Sequence, residues 1–379
     1  MAQRIMNAAA TPLERAQRHP LMLGLFLPIQ NGGWTPSSAP RGTDWGFDYN
    51  SKLTVRAEEL GFDLAFALAQ WLGEDGHGGE TKYRKYSLDP LLVTAGTAAL
   101  TRNIILISTV HVLYGWHPLH LAKMGATLDH MTGGRWGLNL VTGFRPHEMD
   151  MFGLETIPRD QRYVMATEFT EMLERLWRED ANVTWNGDHW SLHDAYVSPK
   201  PTHGRPIMVS AGSSDAGLAY ATQYSDLIFI TSPGGADIGD ALATLPAHTK
   251  HIRDLAATRG RSIRTVINPH VICRETEREV EEVCRAIVAA EDTGAVNGLM
   301  GTMTSGDQSS WRGHKRDQRI IGGNVHVFGT PEQVTEQFLK LKQAGCDGVQ
   351  INFFDFAPDL EFFGARVIPL LKEAGLRLN

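Results

Sequence analysis

The segment Val209–Gly217, VSAGSSDAG, ends an apolar run and opens a helix through Gly212, Ser213, Ser214 and Asp215. Free backbone N–H groups at a helix start, joined by the Ser213 and Ser214 hydroxyls, make a cradle for a phosphate; the same residue types also make an ordinary N-cap. A second segment, GLNLVTGFRPHE from Gly137 to Glu148, carries Asn139 and Thr142 along an apolar strand to its C-terminal end, with Phe144 and Glu148 in the loop beyond. An amide buried in such a strand needs a partner, because leaving it unsatisfied costs ~1–3 kcal/mol. The edge of a heteroaromatic ring would supply one, and so would the adjacent loop. His111 follows the apolar run Ile104–Val110, and from a strand end it either donates to a substrate or sits hydrogen-bonded in the core.

Other chemistries find less support. There is no GxGxxG and no GxxxxGK[ST] for a Rossmann site or a P-loop, and no GxSxG elbow for a serine triad. His117 with His120 and His189 with His193 have metal-like spacing, but no carboxylate or cysteine completes a ligand set, so no metal is expected. Asp63, Asp75, Glu148 and Asp355 do not single out a pair for glycoside hydrolysis. Aromatic residues gather where strands end: Trp34, Trp45, Trp71, Trp116, Phe144, Phe353 and Phe354. They suit a flat pocket that excludes water, or simply a capped sheet.

The elements that must position these residues are legible as an alternation. Apolar runs of strand type occur at Met22–Leu27, Leu64–Leu68, Ile104–Val110, Trp136–Val141, Ile207–Ala211, Leu227–Thr231, Val266–Ile272 and Gly348–Asn352, separated by stretches of helical period. Eight β-α units predict a (β/α)8 TIM barrel with its site at the C-terminal strand ends; a doubly wound sheet is the alternative. The organisation expected is an N-terminal arm over residues 1–20 and one barrel domain over 21–379 with two insertions. The first, 183–199, is expected as a hairpin turning at Asn186-Gly187. The second, 293–324, is rich in glycine and is expected as a mobile lid loop before the last β-α unit, ordering over the mouth when ligands bind.

With 36 Lys and Arg against 43 Asp and Glu, the net charge of −7 argues against nucleic-acid or anionic-membrane partners and leaves small molecules open. Three cysteines without a CxxC pair fit a reducing, cytoplasmic setting, and no apolar run is long enough for a membrane span.

Across nearly the whole chain, from LGLFLPIQNGGW to FFGARVIPLL, the sequence resembles the flavin monooxygenases similar to bacterial luciferase. RGTDWGFDYNSKL is similar to the N-terminal segment of dimethylsulfone monooxygenases. LNLVTGFRPHEMDMFG, QRYVMATEF, VSPKP and AGSSDAG are similar to those enzymes and to pyrimidine oxygenases, and LNLVTG also to alkanesulfonate monooxygenases. The resemblance implies a (β/α)8 barrel that takes reduced FMN from a separate NAD(P)H-dependent flavin reductase. With O2 it oxygenates a small sulfone, sulfonate or heterocycle, with or without C–S, C–N or C–halogen cleavage, and it implies a dimer or tetramer. It further implies that Ala69 and Gln70 lie beside the flavin ring and that Asn139 contacts it. Glu148, Arg162 and Tyr163 would hold the ribityl chain and phosphate, and Ser213 and Ser214 the phosphate. Two positions depart from the pyrimidine oxygenases: Gln70 stands where they have lysine, and Val110 where they have a threonine in the oxygen pocket. Arg312, Lys315, Arg316 and Arg319 occupy the loop that brings an arginine over the substrate in the sulfonate enzymes. Two readings from other classes remain: a deazaflavin-dependent oxidoreductase on the same barrel, and a flavin-binding protein without catalysis.

Overall fold

The computed structural model describes residues 10–304 and 315–378. Its strands are β1 (Met22–Phe26), β2 (Leu64–Ala67), β3 (Ile105–His111), β4 (Trp136–Val141), β5 (Val183–Asn186), β6 (Ser191–Ala195), β7 (Ile207–Ala211), β8 (Leu227–Ile230), β9 (Arg264–Ile267), β10 (Pro269–Cys273), β11 (Val325–Gly329) and β12 (Gly348–Phe353). Eight of them run parallel in the spatial order β1-β2-β3-β4-β7-β8-β9-β12, and β12 pairs back onto β1, Met22 opposite Gly348, so the sheet closes as a (β/α)8 barrel. The helices are α1 (Pro12–Ala16), α2 (Phe47–Glu59), α3 (Pro90–Ala98), α4 (Pro118–Thr132), α5 (Pro146–Met151), α6 (Arg159–Arg178), α7 (Asp215–Tyr224), α8 (Ile238–Ala257), α9 (Glu277–Ala289), α10 (Thr293–Thr304), α11 (Arg316–Ile321), α12 (Pro331–Gln343) and α13 (Phe356–Glu373). Their starts are written locally: Thr276 with Glu279 and Thr330 with Gln333 form capping boxes, and prolines occupy the first turns of α3, α4 and α12.

Strand alternation divides the interior. Met22, Phe26, Leu64, Phe66, Ile105, Ile107, Ile207, Val209, Leu227, Phe229 and Val266 face inward and fill the lower barrel. The intervening residues, such as Leu23, Ala65, Leu106, Ile228 and Ile351, face the helices. Of the expected N-terminal arm, residues 1–9 lie outside the described residues, whereas α1 is held: Thr11 caps it through a capping box, and Leu13 and Ala16 pack against the lower barrel.

The expected hairpin is present, with β5 and β6 antiparallel, but it turns over Gly187–Trp190 and not at Asn186-Gly187: Asn186 pairs with Ser191 inside the ladder, and Gly187 N donates to Trp190 O at 3.1 Å. Two further expectations need correction. The seventh strand is interrupted at Asn268: β9 pairs with β8 and β12, while β10 pairs with β12 and with β11, a strand missing from the sequence reading. The stretch 293–324 is not an open loop where it is described, because α10 and α11 occupy residues 293–304 and 316–321. Its glycines permit close approach. A Cβ on Gly298 would stand 1.7 Å from the His77 carbonyl oxygen, and one on Gly294 would stand 2.6 Å from Gly79 Cα, so α10 lies backbone to backbone on the loop after β2. Asp292 fixes that contact by accepting from Thr81 N at 2.8 Å and Thr81 Oγ1 at 2.6 Å.

Candidate active site

A cavity of about 280 Å3 opens at the C-terminal ends of the strands. Of the residues singled out in the sequence, Trp34, His111, Asn139, Phe144, Arg162, Tyr163, Ser213, Ser214 and Arg319 line it together. Its floor is the ring layer Phe26, Phe66 and Phe229, packed edge to face with centroids 5.0 and 4.7 Å apart.

One side of the mouth is built by β3, β4 and β7. Asn139 is 1% exposed; its Nδ2 donates to Thr109 Oγ1 at 2.9 Å, and its Oδ1 has no partner. An unpartnered amide oxygen in a buried strand is costly unless a ligand or water answers it. Ser214 is the N-cap of α7, accepting from Gly217 N at 3.2 Å, as the capping alternative expects, and it opens on the same cavity as Ser213. The Tyr163 hydroxyl hydrogen-bonds with Ser214, and burial raises its pKa, so it stays protonated. Arg162, buried on α6, spends Nη1 on Ile157 O at 3.0 Å and leaves Nε without a partner. A helix start, two hydroxyls, a phenol and a guanidinium thus converge on one end of the cavity, a donor set suited to a phosphate.

Glu148 lies behind this wall and not in it. It is 1% exposed and takes Arg145 Nη1 at 2.8 Å, Tyr114 Oη at 2.9 Å and Trp71 N at 3.4 Å. Burial, then Glu148 itself, raises Tyr114 above the usual tyrosine range. The His111 ring stacks on Tyr114, centroids 4.7 Å apart, with Nδ1 unpartnered. Burial pushes its pKa down to about 4, Glu148 opposing and Arg145 adding, so the imidazole is neutral near pH 7.

Several expected residues stand elsewhere. Val110 points away from the cavity into the helical layer with Leu91, Leu121 and Leu138, because β3 alternates and presents Thr109 and His111 inward. Thr109, one residue earlier, is the side chain that lines the cavity. Phe353 is excluded by the same rule: it packs on Phe356 and Phe363, while Gln350 of β12 faces in. Ala69 and Gln70 lie past the end of β2, half-buried, and Gln70 Oε1 accepts from Arg84 Nη1 at 3.3 Å. Trp71 is 41% exposed, edge-on to Phe152 and off the cavity. Arg316 ties α11 to the segment before it, pairing with Glu291 and donating to Asn297 Oδ1 at 2.9 Å. Arg312 lies outside the described residues.

The structure adds residues absent from the sequence reading: Thr109, Tyr83, Arg84, Asn268 and Gln350. Gln350 was within reach of the alternation in VQINF. Arg84 carried no periodic signal, since it sits in an irregular loop at φ 61°.

The family model for luciferase-like monooxygenases matches residues 22–348. The chain belongs to this family. Among curated luciferase-like relatives, the chain is 32% identical over 358 residues to the FMNH2-dependent dimethylsulfone monooxygenase of Pseudomonas fluorescens, covering 92% of this chain and 93% of that protein. It is 30% identical to the pyrimidine monooxygenase of Acinetobacter baylyi, covering 93% and 95%. Among solved structures, the fold matches a riboflavin lyase crystallised with modified FMN and riboflavin, with a TM-score of 0.82 at 22% identity over 94% of this chain and 92% of that one. Among the described residues, no group of three or more His, Cys, Asp or Glu stands ready for a metal ion, and no helix is long and apolar enough to cross a membrane.

Proposed function

We propose that this chain is a two-component FMNH2-dependent monooxygenase: a separate NAD(P)H-dependent flavin reductase supplies reduced FMN, and O2 oxygenates a small sulfone, sulfonate or nitrogen heterocycle. The observation that carries this reading is the opening of the Ser213–Ser214 helix start and the unpartnered Asn139 Oδ1 onto one cavity at the barrel mouth. Reduced FMN fits that set. Ser213, Ser214, Arg162 and Tyr163 would hold its phosphate, and Asn139 the polar edge of its ring, with Gln70 and Ala69 at the border. Bound reduced FMN supplies the two electrons that activate O2, one oxygen atom going to the substrate and the other to water.

The chain's own task is orientation and dryness. Phe26, Phe66, Phe229, Trp34 and Phe144 line the cavity and exclude water from it. Thr109 orients Asn139, and Glu148 orients Arg145 and Tyr114, on whose ring His111 rests. Neutral His111 can donate or accept one hydrogen bond at the mouth without bringing a charge.

The reading is tested by mixing the protein with FMNH2, then with O2, in the presence of dimethylsulfone, an alkanesulfonate or uracil, and measuring oxygen uptake and product. Oxygenated product from one class, in proportion to FMNH2, is expected. Hydrogen peroxide without product from every class would leave a flavin-binding protein, and O2-independent hydride transfer with a deazaflavin would make it an oxidoreductase of that kind.

A further inference from the structure

The cavity wall is of one sign. Arg84, Arg145, Arg162 and Arg319 stand in it, and among the described residues no Asp or Glu does. Glu148 neutralises Arg145 from behind. Arg162 belongs to the Ser213–Ser214 end, at the fifth strand of the closed ring. Of the other two guanidiniums, Arg84 is in the loop that leaves β2, and Arg319 is on α11, between β10 and β11. Arg84 lies 4.5 Å over the Trp34 ring and donates Nε to Gly33 O at 3.1 Å. Arg319 is on α11, whose last residue, Ile321, accepts from Thr35 Oγ1 at 2.7 Å. Arg84 and the end of α11 therefore border the segment Gly33–Thr35. In an eight-stranded ring the first and fifth strands face each other, so this wall looks across the mouth at the phosphate cradle.

Burying a guanidinium is unfavourable unless charge or hydrogen bonds answer it, and among the described residues no carboxylate pairs with Arg84, which is 6% exposed. Arg84 also holds a left-handed backbone, φ 61°, that residues with a Cβ avoid. Beside this wall, on β12, Gln350 is 1% exposed and neither of its amide atoms has a partner. A cation in a strained loop and an unanswered amide, both facing one cavity, are groups prepared for a ligand.

We propose that Arg84 and Arg319, with Gln350 beside them, form the substrate subsite, and that it takes an organic oxyanion, a carboxylate or sulfonate, whose apolar body lies against Phe26, Phe66 and Phe229. This deepens the oxygenase reading and rests on it for the bound molecule being substrate. The guanidinium forks match the oxygens of either headgroup, and Gln350 Nε2 adds a neutral donor.

Calorimetric titration of the protein, with and without saturating oxidised FMN, tests this with pentanesulfonate and hexanoate against diethyl sulfone and uracil. The anions are expected to bind at least about ten-fold more tightly than the neutral compounds, and more weakly as salt is raised. Arg84→Gln and Arg319→Gln should each weaken anion binding by about ten-fold and leave neutral ligands and FMN within about two-fold. Arg84→Lys, which keeps the charge, should retain part of the preference; it and Arg319→Gln carry the comparison if Arg84→Gln does not fold. Neutral compounds binding as tightly as anions would overturn the proposal, and so would loss of FMN affinity in Arg84→Gln, which would give this wall to the flavin. An anion that binds as expected but is never oxygenated would sink the oxygenase reading and leave the subsite standing.

Discussion

Asn139 places a polar amide where β4 would otherwise be apolar, and the fold tolerates it because Thr109 answers one end. The other end is left for a ligand. Asn139→Ala should therefore lower product formed per FMNH2 by about ten-fold or more while unfolding stability changes by less than about 1 kcal/mol, since one neutral hydrogen bond is lost on folding. Wild-type coupling in this variant would reduce Asn139 to a structural role. At the other end of the cavity, Ser213→Ala with Ser214→Ala should weaken FMN binding by about 1–3 kcal/mol, because each hydroxyl would donate to a charged phosphate; an unchanged dissociation constant would remove the cradle. What could be read from sequence at this scale depended on local grammar. The AGSSDAG helix start and the LNLVTG strand end announce themselves, whereas inward and outward positions differ by one residue. Val110, which the resemblance sets where the pyrimidine oxygenases have a threonine, faces the helices, and its neighbour Thr109 faces the cavity.

Among the elements, α10 is where sequence and structure diverge most usefully. Gly294, Gly298 and Gly301 read as a source of flexibility, yet the first two let α10 touch the loop after β2, and Leu299 on the same helix reaches the cavity. Composition alone does not separate these meanings, because a glycine chosen for freedom and one chosen for contact are the same residue. Substitution does separate them by sign. In a helix interior without close neighbours, glycine to alanine stabilises by about 0.5–1 kcal/mol. At Gly298 the added methyl would meet backbone, which cannot rotate away, so Gly298→Ala should destabilise by about 1–3 kcal/mol in urea unfolding and displace the loop that carries Tyr83 and Arg84. A stabilised Gly298→Ala would restore the flexible reading of this helix. The broken seventh strand was hidden for a different reason: Val266–Ile272 is apolar apart from Asn268 and His270, and only the pairing partners reveal that β10 leaves β8 for β11.

On the scale of the whole molecule, the eight-fold alternation was legible because each stave is apolar and bounded by turns, and closure follows from that number. The distribution of charge inside the closed barrel was not, since burial is set by elements distant in sequence. Three histidines make this measurable. Burial pushes His111 down to about 4, His270 to about 3 and His77 to about 2; Arg145 adds to the effect at His111, His326 and Arg41 at His270, and Arg84 and Arg145 at His77. Each is neutral in the folded protein near pH 7. Below the ordinary value of about 6.5, the unfolded chain binds a proton that the folded chain refuses, so stability must fall with pH from there toward the folded values and level off beneath them. The limiting slope is about 1.4 kcal/mol per pH unit for each histidine. Urea unfolding between pH 7.5 and 5.5 should show this loss, and His270→Gln, which removes one titrating group beside Asn352, should make the decline shallower by up to about that amount. A decline as steep in His270→Gln as in the parent protein would mean that His270 takes up its proton in the folded state and that the barrel interior is wetter than its packing implies.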